Sequence, residues 1–212
     1  GTSDGIGRAT AEYFLERGHS VVGFDRKPPA LAHPNYRHEI LDICDTDAYP
    51  EDVQPEILIN NAGVQDSGRD IEINLMGTIR MTEKYAIANP RIRAVVMVGS
   101  ASAHTGSEFP EYAASKGGLL TYTKNAALRL APRAVCNSID PGGVLTDLNR
   151  PVMEDPELWN QIMALTPLRR WATPEEIAEW IYFVGVRNRF MTGQNLLIDG
   201  GEAGDAHFVW KD

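Results

Sequence analysis

A tyrosine and a lysine one helical turn apart have the clearest capacity for acid–base chemistry in this sequence. Tyr112 and Lys116 stand at positions i and i+4, which places both side chains on one face of a helix. A tyrosine hydroxyl has an ordinary pKa of about 10, and a neighbouring ammonium favours the phenolate. Lowering that pKa by about three units corresponds to roughly 4 kcal/mol. The pair indicates a general base, although this spacing by itself is more often a solvated helix face.

A serine upstream of this pair supplies a hydrogen-bond donor. Ser100 precedes Tyr112 by 12 residues and directly follows the apolar run 94–98 and Gly99. Its hydroxyl can donate to a substrate oxygen on which negative charge develops. Ser102 is an alternative, but Ser100 fits the strand end better. His104 lies between Ser100 and Tyr112, so we expect it to face the substrate.

The chain opens on a glycine-rich loop that leads into a helical pattern. Residues 1–7 read G-T-S-D-G-I-G. Glycines allow the backbone to approach a pyrophosphate closely, and a helix N-terminus supplies free N–H groups and a positive dipole end. The loop alone is weak support, and its spacing differs from the G-x-G-x-x-G fingerprint.

An aspartate at the end of the next apolar run bears on the cofactor. Asp25 follows Gly1 by 24 residues. A carboxylate there can accept hydrogen bonds from the adenosine ribose of NAD and would repel the 2′-phosphate of NADP. Arg26 and Lys27 follow directly and weaken the argument. The alternative is an aspartate that only stabilises a turn.

Short apolar runs alternate with helical patterns along the chain. Each run is followed by Gly, Asn, Ser or Asp, as is typical of strands buried on both faces. The runs are residues 21–24, 56–59, 94–98, 135–139 and 195–198. The helical patterns cover 6–17, 111–130 and 174 to about 184, the last after a capping signal at Thr173.

This alternation predicts an α/β fold, a doubly wound, Rossmann-like parallel sheet with helices on both faces. Gly1 falls within what reads as a strand-to-helix loop. We therefore expect the first, central strand to be missing from the sequence given. The alternative is a fold that never had that strand.

With these motifs in this order, the sequence resembles the short-chain dehydrogenase/reductase family, of its smaller type, over nearly its whole length. The residues that carry the resemblance are G-T-S-D-G-I-G at 1–7, Asp25, Asp42, N-N-A-G at 60–63, Asn74, Ser100, Y-A-A-S-K at 112–116, N-S-I-D-P-G-G-V-L-T at 137–146 and I-D-G-G at 198–201.

The resemblance implies roles for individual residues. It implies a catalytic set of Asn74, Ser100, Tyr112 and Lys116. The cofactor-binding residues that it implies are Gly1, Ser3, Asp4, Gly5, Ile6, Asp25, Asp42, Ile43, Asn61, Ala62, Gly63, Tyr112, Lys116, Pro141, Gly142, Val144 and Thr146. It also implies a homotetramer or homodimer.

Two spacings depart from the family pattern. Asn74 follows Asn61 by only 13 positions, where the family has a stretch about twice as long, so Asn74 is the residue most open to displacement. The interval from Ser100 to Tyr112 is one residue shorter than is common. Segment 147–170 corresponds to a mobile substrate lid in the family, and ordinary helix packing is the alternative.

Composition limits the class of protein. The 212 residues are 43% hydrophobic and carry a net charge of −9, which predicts a single domain over 1–212 and disfavours nucleic acid and anionic membranes as partners. No apolar run approaches the length of a membrane span, and no metal-ligand spacing appears. Two cysteines form no disulfide framework, so we expect a reducing cytoplasm.

The predicted function is hydride transfer between NAD and a small alcohol or carbonyl substrate, with NADP the less favoured cofactor. A dinucleotide-binding sensor or regulator without catalysis is the alternative, and the presence of Ser100, Tyr112 and Lys116 disfavours it. A nucleotide-sugar epimerase or dehydratase is disfavoured because 212 residues leave no room for a larger substrate domain.

Overall fold

The computed structural model describes residues 1–107 and 109–204, so residues 108 and 205–212 of the expected domain lie outside it. In the described part, parallel strands alternate with helices. The strands are β1 (Val21–Asp25), β2 (Tyr36–Ile40), β3 (Ile57–Asn60), β4 (Ala94–Val98), β5 (Val135–Pro141) and β6 (Asn195–Ile198). The α-helices are α1 (Gly5–Glu16), α2 (Thr78–Thr82), α3 (Ser102–Thr105), α4 (Pro110–Leu130), α5 (Arg150–Met153), α6 (Pro156–Leu165) and α7 (Pro174–Tyr182).

Several helical turns depart from α geometry. The π-helical turns are Ile71–Gly77 and Glu83–Ile87, on either side of α2, and Phe183–Arg187 after α7. The short 3-10 turns are Thr46–Ala48, Asp147–Asn149 and Glu202–Gly204.

The strands form two parallel groups. Strands β1 and β2 pair with each other, and β3, β4, β5 and β6 form a sheet in that order. A cavity of about 670 Å³ is lined by residues of β1, β3 and α1. The parallel α/β fold predicted from the sequence is confirmed.

The core lies on both faces of the larger sheet because alternate side chains of β4 point to opposite sides. Val95 and Met97 belong to a cluster with α4 and the segment around α2. Val96 and Val98 belong to a second cluster, with α1 and α7. All five residues of β4 are buried, as its unbroken apolar run predicts. Helices therefore cover both faces of the sheet.

The structure adds elements that the hydrophobic pattern missed. Strand β2 reads Y-R-H-E-I, and all of its residues are at least partly exposed. The helical segment 71–87 was not identified either. Helix α7 has the predicted capping box, in which Thr173 and Glu176 each bond the other's backbone, but its α geometry ends at Tyr182 rather than near Val184. Within the described residues, none of the helices is both long and apolar enough to cross a bilayer.

Candidate active site

A cleft of about 1350 Å³ opens at the carboxyl ends of β1, β3, β4 and β5, which is where parallel α/β sheets bind ligands. Most residues singled out from the sequence line it. They are Gly1, Asp4, Gly5, Ile6, Asp25, Asp42, Ile43, Asn61, Ala62, Gly63, Ser100, Tyr112, Lys116, Pro141, Gly142, Val144 and Thr146. Ser3 and Asn74 are not part of the lining.

Tyr112 and Lys116 lie on the first two turns of α4, at the floor of the cleft. Lys116 Nζ is 5.7 Å from the Tyr112 ring centroid and donates to the Val98 carbonyl oxygen at 2.9 Å. Lys116 is buried. Burial lowers the pKa of Lys116 to about 8, while the negative charges of Asp140 and Asp70 oppose this lowering. The ammonium is therefore held close to its phenol partner in a largely desolvated position.

Asn74 lies beside this pair, in the π-helical turn Ile71–Gly77. Its Oδ1 accepts from the Val64 amide at 2.8 Å, and its Nδ2 donates to the Val64 carbonyl at 2.9 Å and to Ser115 Oγ at 3.1 Å. A Cβ placed on Gly63 would lie 3.1 Å from Asn74 Oδ1 and 3.5 Å from Lys116 Nζ. The short segment before Asn74 therefore still brings its amide to the neighbourhood of Lys116.

A buried aspartate closes that short segment, and sequence reasoning missed it. Asp70 accepts from the amides of Asp66 and Ser67 at 3.0 and 2.8 Å, and from Ser67 Oγ at 2.9 Å. Asp66 adopts a φ of 51°, in the left-handed region. A side chain that binds the backbone of the turn before it is a local signal for such a loop, but Asp70 carries no distinctive motif.

Ser100 and Ser102 both line the cleft, and their hydroxyl oxygens are 3.3 Å apart. The Ser102 amide also donates to Ser100 Oγ at 3.2 Å. The intervening Ala101 amide donates to the Pro141 carbonyl at 2.8 Å, which fixes the segment to the end of β5. Ser102 thus remains an alternative to Ser100 as the donor to substrate.

The other end of the cleft is formed by the loop into α1. Gly5 has a φ of +51°, a conformation that glycine adopts without strain. The N-cap, Asp4, makes no side-chain capping bond to the first turn of α1. Ser3 is buried instead: its amide donates to Asp25 Oδ2 at 3.0 Å and its hydroxyl to the Pro28 carbonyl at 2.9 Å. Ser3 therefore supports the loop from behind rather than facing the cleft.

Asp25 stands at the end of β1 with a side chain that is 12% exposed. Its Oδ1 accepts from the Lys27 amide at 2.9 Å. Burial acts to raise the pKa of Asp25, but the hydrogen bonds from the Lys27 and Ser3 amides, together with the positive charge of the amino group of Gly1 and the Ser3 hydroxyl, hold the pKa below its ordinary value. The neighbouring cations are engaged with carboxylates: Lys27 contacts Asp4, and Arg26 is 4.0 Å from Asp42.

Segment 147–170 forms one wall of the cleft through α5, α6 and the turn before them. The apolar side chains that it contributes are Leu148, Val152, Leu158, Ile162 and Leu165. The Trp159 ring packs edge-on against Trp171, with centroids 4.9 Å apart. Arg169 donates to the Met163 carbonyl at 2.9 Å, and Arg170 is 2.7 Å from Glu176. The segment thus packs against the rest of the fold and also forms a wall of the cleft.

His104 corrects one expectation. It is not among the residues that line the cleft; its Nε2 lies 2.7 Å from Asp140 Oδ2, a buried carboxyl oxygen on β5. Asp140 was part of a motif in the sequence, but nothing in its position marked it as the partner of His104. Within the described part of the chain, no three His, Cys, Asp or Glu side chains form a metal-binding group, and both cysteines are free.

Comparisons with known proteins agree with this geometry. A family model described as enoyl-(acyl carrier protein) reductase matches residues 55–202. The 3-oxoacyl-[acyl-carrier-protein] reductase FabG of Vibrio harveyi is 30% identical, over 95% of this chain and 94% of its own length. An uncharacterised oxidoreductase of Schizosaccharomyces pombe is 26% identical, over 95% of this chain and 88% of its own.

Solved structures are similar to this chain over nearly their whole length. A 4-hydroxyisoleucine dehydrogenase complexed with NADH superimposes with a TM-score of 0.89 at 27% identity, over 97% of both chains. Aldohexose dehydrogenase of Thermoplasma acidophilum gives 0.87 at 28% identity, over 100% of this chain and 95% of that one. The chain belongs to the short-chain dehydrogenase/reductase family and is an oxidoreductase of that class.

Proposed function

We propose that this protein transfers a hydride between NAD(H) and an alcohol or ketone, with Tyr112 as the acid–base residue. The observation that carries the proposal is the buried Lys116 ammonium beside Tyr112 on α4, at the floor of the cleft. A non-catalytic sensor would not require a cation buried beside a phenol. A bound nicotinamide dinucleotide supplies or accepts the hydride, and the chain supplies the proton chemistry.

The residues of the cleft fit such a dinucleotide. The uncapped first turn of α1 and the loop at Gly1, Asp4, Gly5 and Ile6 offer backbone N–H groups at a helix N-terminus, which suits a pyrophosphate. The Ser3 and Lys27 amides occupy two of the roughly four acceptor positions of the Asp25 carboxylate, which leaves capacity for ribose hydroxyls.

The same region favours NAD over NADP. A 2′-phosphate would meet the Asp25 carboxylate, and it needs free cations to compensate. Lys27 and Arg26 are the nearest cations in the sequence, and both already face carboxylates. NAD is therefore the proposed cofactor, and Asp42 and Ile43 are proposed to flank its adenine.

In the oxidation direction, Tyr112 as a phenolate takes up the proton of the substrate hydroxyl and becomes a neutral phenol. Before that step, the positive charge of the Lys116 ammonium stabilises the phenolate. Ser100 donates to the substrate oxygen. Asn74 lies close enough to Lys116 to anchor a water that carries the proton outward. In the reduction direction the same groups return the proton to the carbonyl oxygen.

The substrate end of the cleft favours a free, largely apolar substrate over one attached to an acyl carrier. Phosphate-bearing carrier arms are recognised by arginine and lysine side chains. Arg169 donates to the Met163 carbonyl, and Arg170 pairs with Glu176. The cleft wall formed by α5 and α6 is lined by apolar side chains. We therefore propose that the substrate is an uncharged secondary alcohol or its ketone, although relatives such as FabG are named as acyl-carrier-protein reductases.

The experiment is a panel of alcohols and ketones assayed with NAD and NADP, on the wild type and on Tyr112→Phe. We expect Tyr112→Phe to lower kcat by about 100-fold or more, because it removes the acid–base group. NADH affinity should stay within a few fold. Tyr122→Phe is the matched control, since Tyr122 lies on the same helix but bonds to Glu83, away from the cleft. Near-normal turnover by Tyr112→Phe would refute the role of Tyr112.

A further inference from the structure

A buried carboxyl group that this mechanism does not use lies behind the candidate catalytic residues. Asp140, near the end of β5, is fully buried. Its Oδ2 is 2.7 Å from His104 Nε2, while Oδ1 has no hydrogen-bond partner within the described residues. A buried acidic group is costly unless its charge is compensated, and an uncharged side chain would fill the same space without that cost.

The carboxyl group is packed against the backbone that carries Ser100. A Cβ placed on Gly99 would lie 2.0 Å from Asp140 Oδ1, so only glycine leaves room for the carboxyl there. Gly99 itself donates its amide to the Ile139 carbonyl at 2.8 Å. Asp140 thus lies directly behind the residue that precedes Ser100.

The Lys116 ammonium approaches the same stretch of backbone. Its Nζ donates to the carbonyl oxygen of Val98, the residue before Gly99. Lys116 and Asp140 therefore flank the peptide between β4 and Ser100, Lys116 through the Val98 carbonyl and Asp140 through Gly99. Among the charges that oppose the effect of burial on the pKa of Lys116, Asp140 is the largest and Asp70 is the second.

On the premise of the proposed function, we propose that Asp140 is a positioning residue, a carboxylate held by His104 that keeps Lys116 protonated beside Tyr112. His104 faces it from α3 and Lys116 from α4, while Ser138 is its neighbour on β5. Asp70, at the start of the π-helical turn, is the other carboxyl group that acts on Lys116. Tyr112 is the titratable group next to Lys116 on α4 itself.

The charge balance of this group is consistent with the proposal. Burial raises the pKa of Asp140, whereas His104, Ser138 and Lys116 oppose that rise. Loss of the His104 donor would leave the carboxyl more readily protonated. Lys116 would then lose its largest compensating charge and would release its proton at a lower pH.

The test is a direct titration of Lys116 by ¹³C NMR in the full chain, with its resonance assigned through Lys116→Arg. Asp140→Asn keeps the shape of the side chain and removes the charge. We expect Lys116 to titrate at least about one pH unit lower in this variant, and the alkaline limb of kcat to move in the same direction. The KM for NADH should stay within about two-fold, because Asp140 does not line the cleft.

Asp52→Asn is the control, since it removes a carboxylate that is 65% exposed and pairs with Arg37 on the surface. Its Lys116 titration should match that of the wild type. If Asp140→Asn does not fold, His104→Phe removes the donor and should produce a downward shift as well. A folded Asp140→Asn variant with the wild-type Lys116 titration would overturn the proposal. The NMR titration needs no substrate, so it tests the role of Asp140 even if the proposed enzymatic activity is not found.

Discussion

Lys116 combines the two features that make a single residue informative here, deep burial and a titratable group. Its side-chain amino group is buried away from water, donates to the Val98 carbonyl oxygen and interacts electrostatically with the more distant Asp140 and Asp70. Such an arrangement destabilises the folded state when the lysine is charged, because water solvates the ammonium better. Candidate catalytic groups often carry this kind of cost.

A pH dependence of stability follows from it. In the absence of cofactor, Lys116 has a pKa of about 8 in the folded chain and an ordinary value of 10.5 when unfolded. Between these values the unfolded chain holds more protons, so this residue makes the free energy of unfolding rise with pH. Over that pH range, we expect the free energy of unfolding to rise by roughly 3 kcal/mol more in the wild type than in Lys116→Met. Urea unfolding at pH 7.5 to 10.5, about the same range, measures the difference, and equal slopes would contradict it.

At the same scale, the sequence singled out Tyr112, Lys116 and Ser100 as candidates because their types and order are distinctive, and all three line the cleft. It did not identify Asp70 or Asp140, since a single aspartate in a loop or a strand has no pattern. His104 was placed wrongly because nearness in sequence to Ser100 and Tyr112 does not fix the direction of a side chain. The helix α3 turns its ring toward Asp140 instead.

At the scale of elements, the strongest predictions came from local hydrogen bonding and continuous apolar runs. The Thr173 capping box is present as predicted: the Glu176 amide donates to Thr173 Oγ1 at 3.3 Å, and the Thr173 amide to Glu176 Oε2 at 2.9 Å. Strand β2 was missed because an edge strand with polar side chains lacks a continuous apolar run. The π-helical turns around α2 were missed because their hydrophobic spacing differs from 3.6 residues.

Removing the Thr173 cap tests the energetic weight of this local signal. Thr173→Ala should lower the free energy of unfolding by about 1 kcal/mol, because an amide of α7 loses its acceptor. Chemical denaturation followed by circular dichroism checks this value. Thr46→Ala, at an exposed threonine in a short 3-10 turn, should change stability by less than about 0.5 kcal/mol. An equal effect in both variants would show that the cap contributes little.

At the scale of the molecule, the cleft joins elements that are distant in the chain. Its walls come from β1, from the loop into α1, from the ends of β4 and β5, and from α5 and α6. A ligand that bridges these elements stabilises the folded state by binding it alone. The homodimer or homotetramer that the family implies stays a prediction.

Cofactor binding should therefore be visible in thermal unfolding. At 100 times its Kd, NADH is expected to stabilise the fold by about 2.7 kcal/mol and to raise Tm accordingly. NADPH at the same concentration should raise Tm less than NADH does. Asp25→Ser should reduce this difference between the two Tm shifts, because it removes the carboxylate that repels a 2′-phosphate. Asp45→Ser, a control at an exposed residue, should leave the difference between the NADH and NADPH Tm shifts unchanged. A larger shift with NADPH in the wild type would refute the preference for NAD.

The sequence by itself determined the parallel α/β class, most strand positions and the placement of Tyr112 and Lys116 on one helix. Those features depend on apolar runs, capping residues and spacing within one helix, which are local properties of the chain. Only the tertiary structure decided that Asn74 and Lys116 both lie next to Gly63, that Ser3 bonds Asp25 and Pro28 from behind the loop, and that Asp140 packs against Gly99. These contacts join residues far apart in sequence, and packing between elements, rather than local preference, sets their distances.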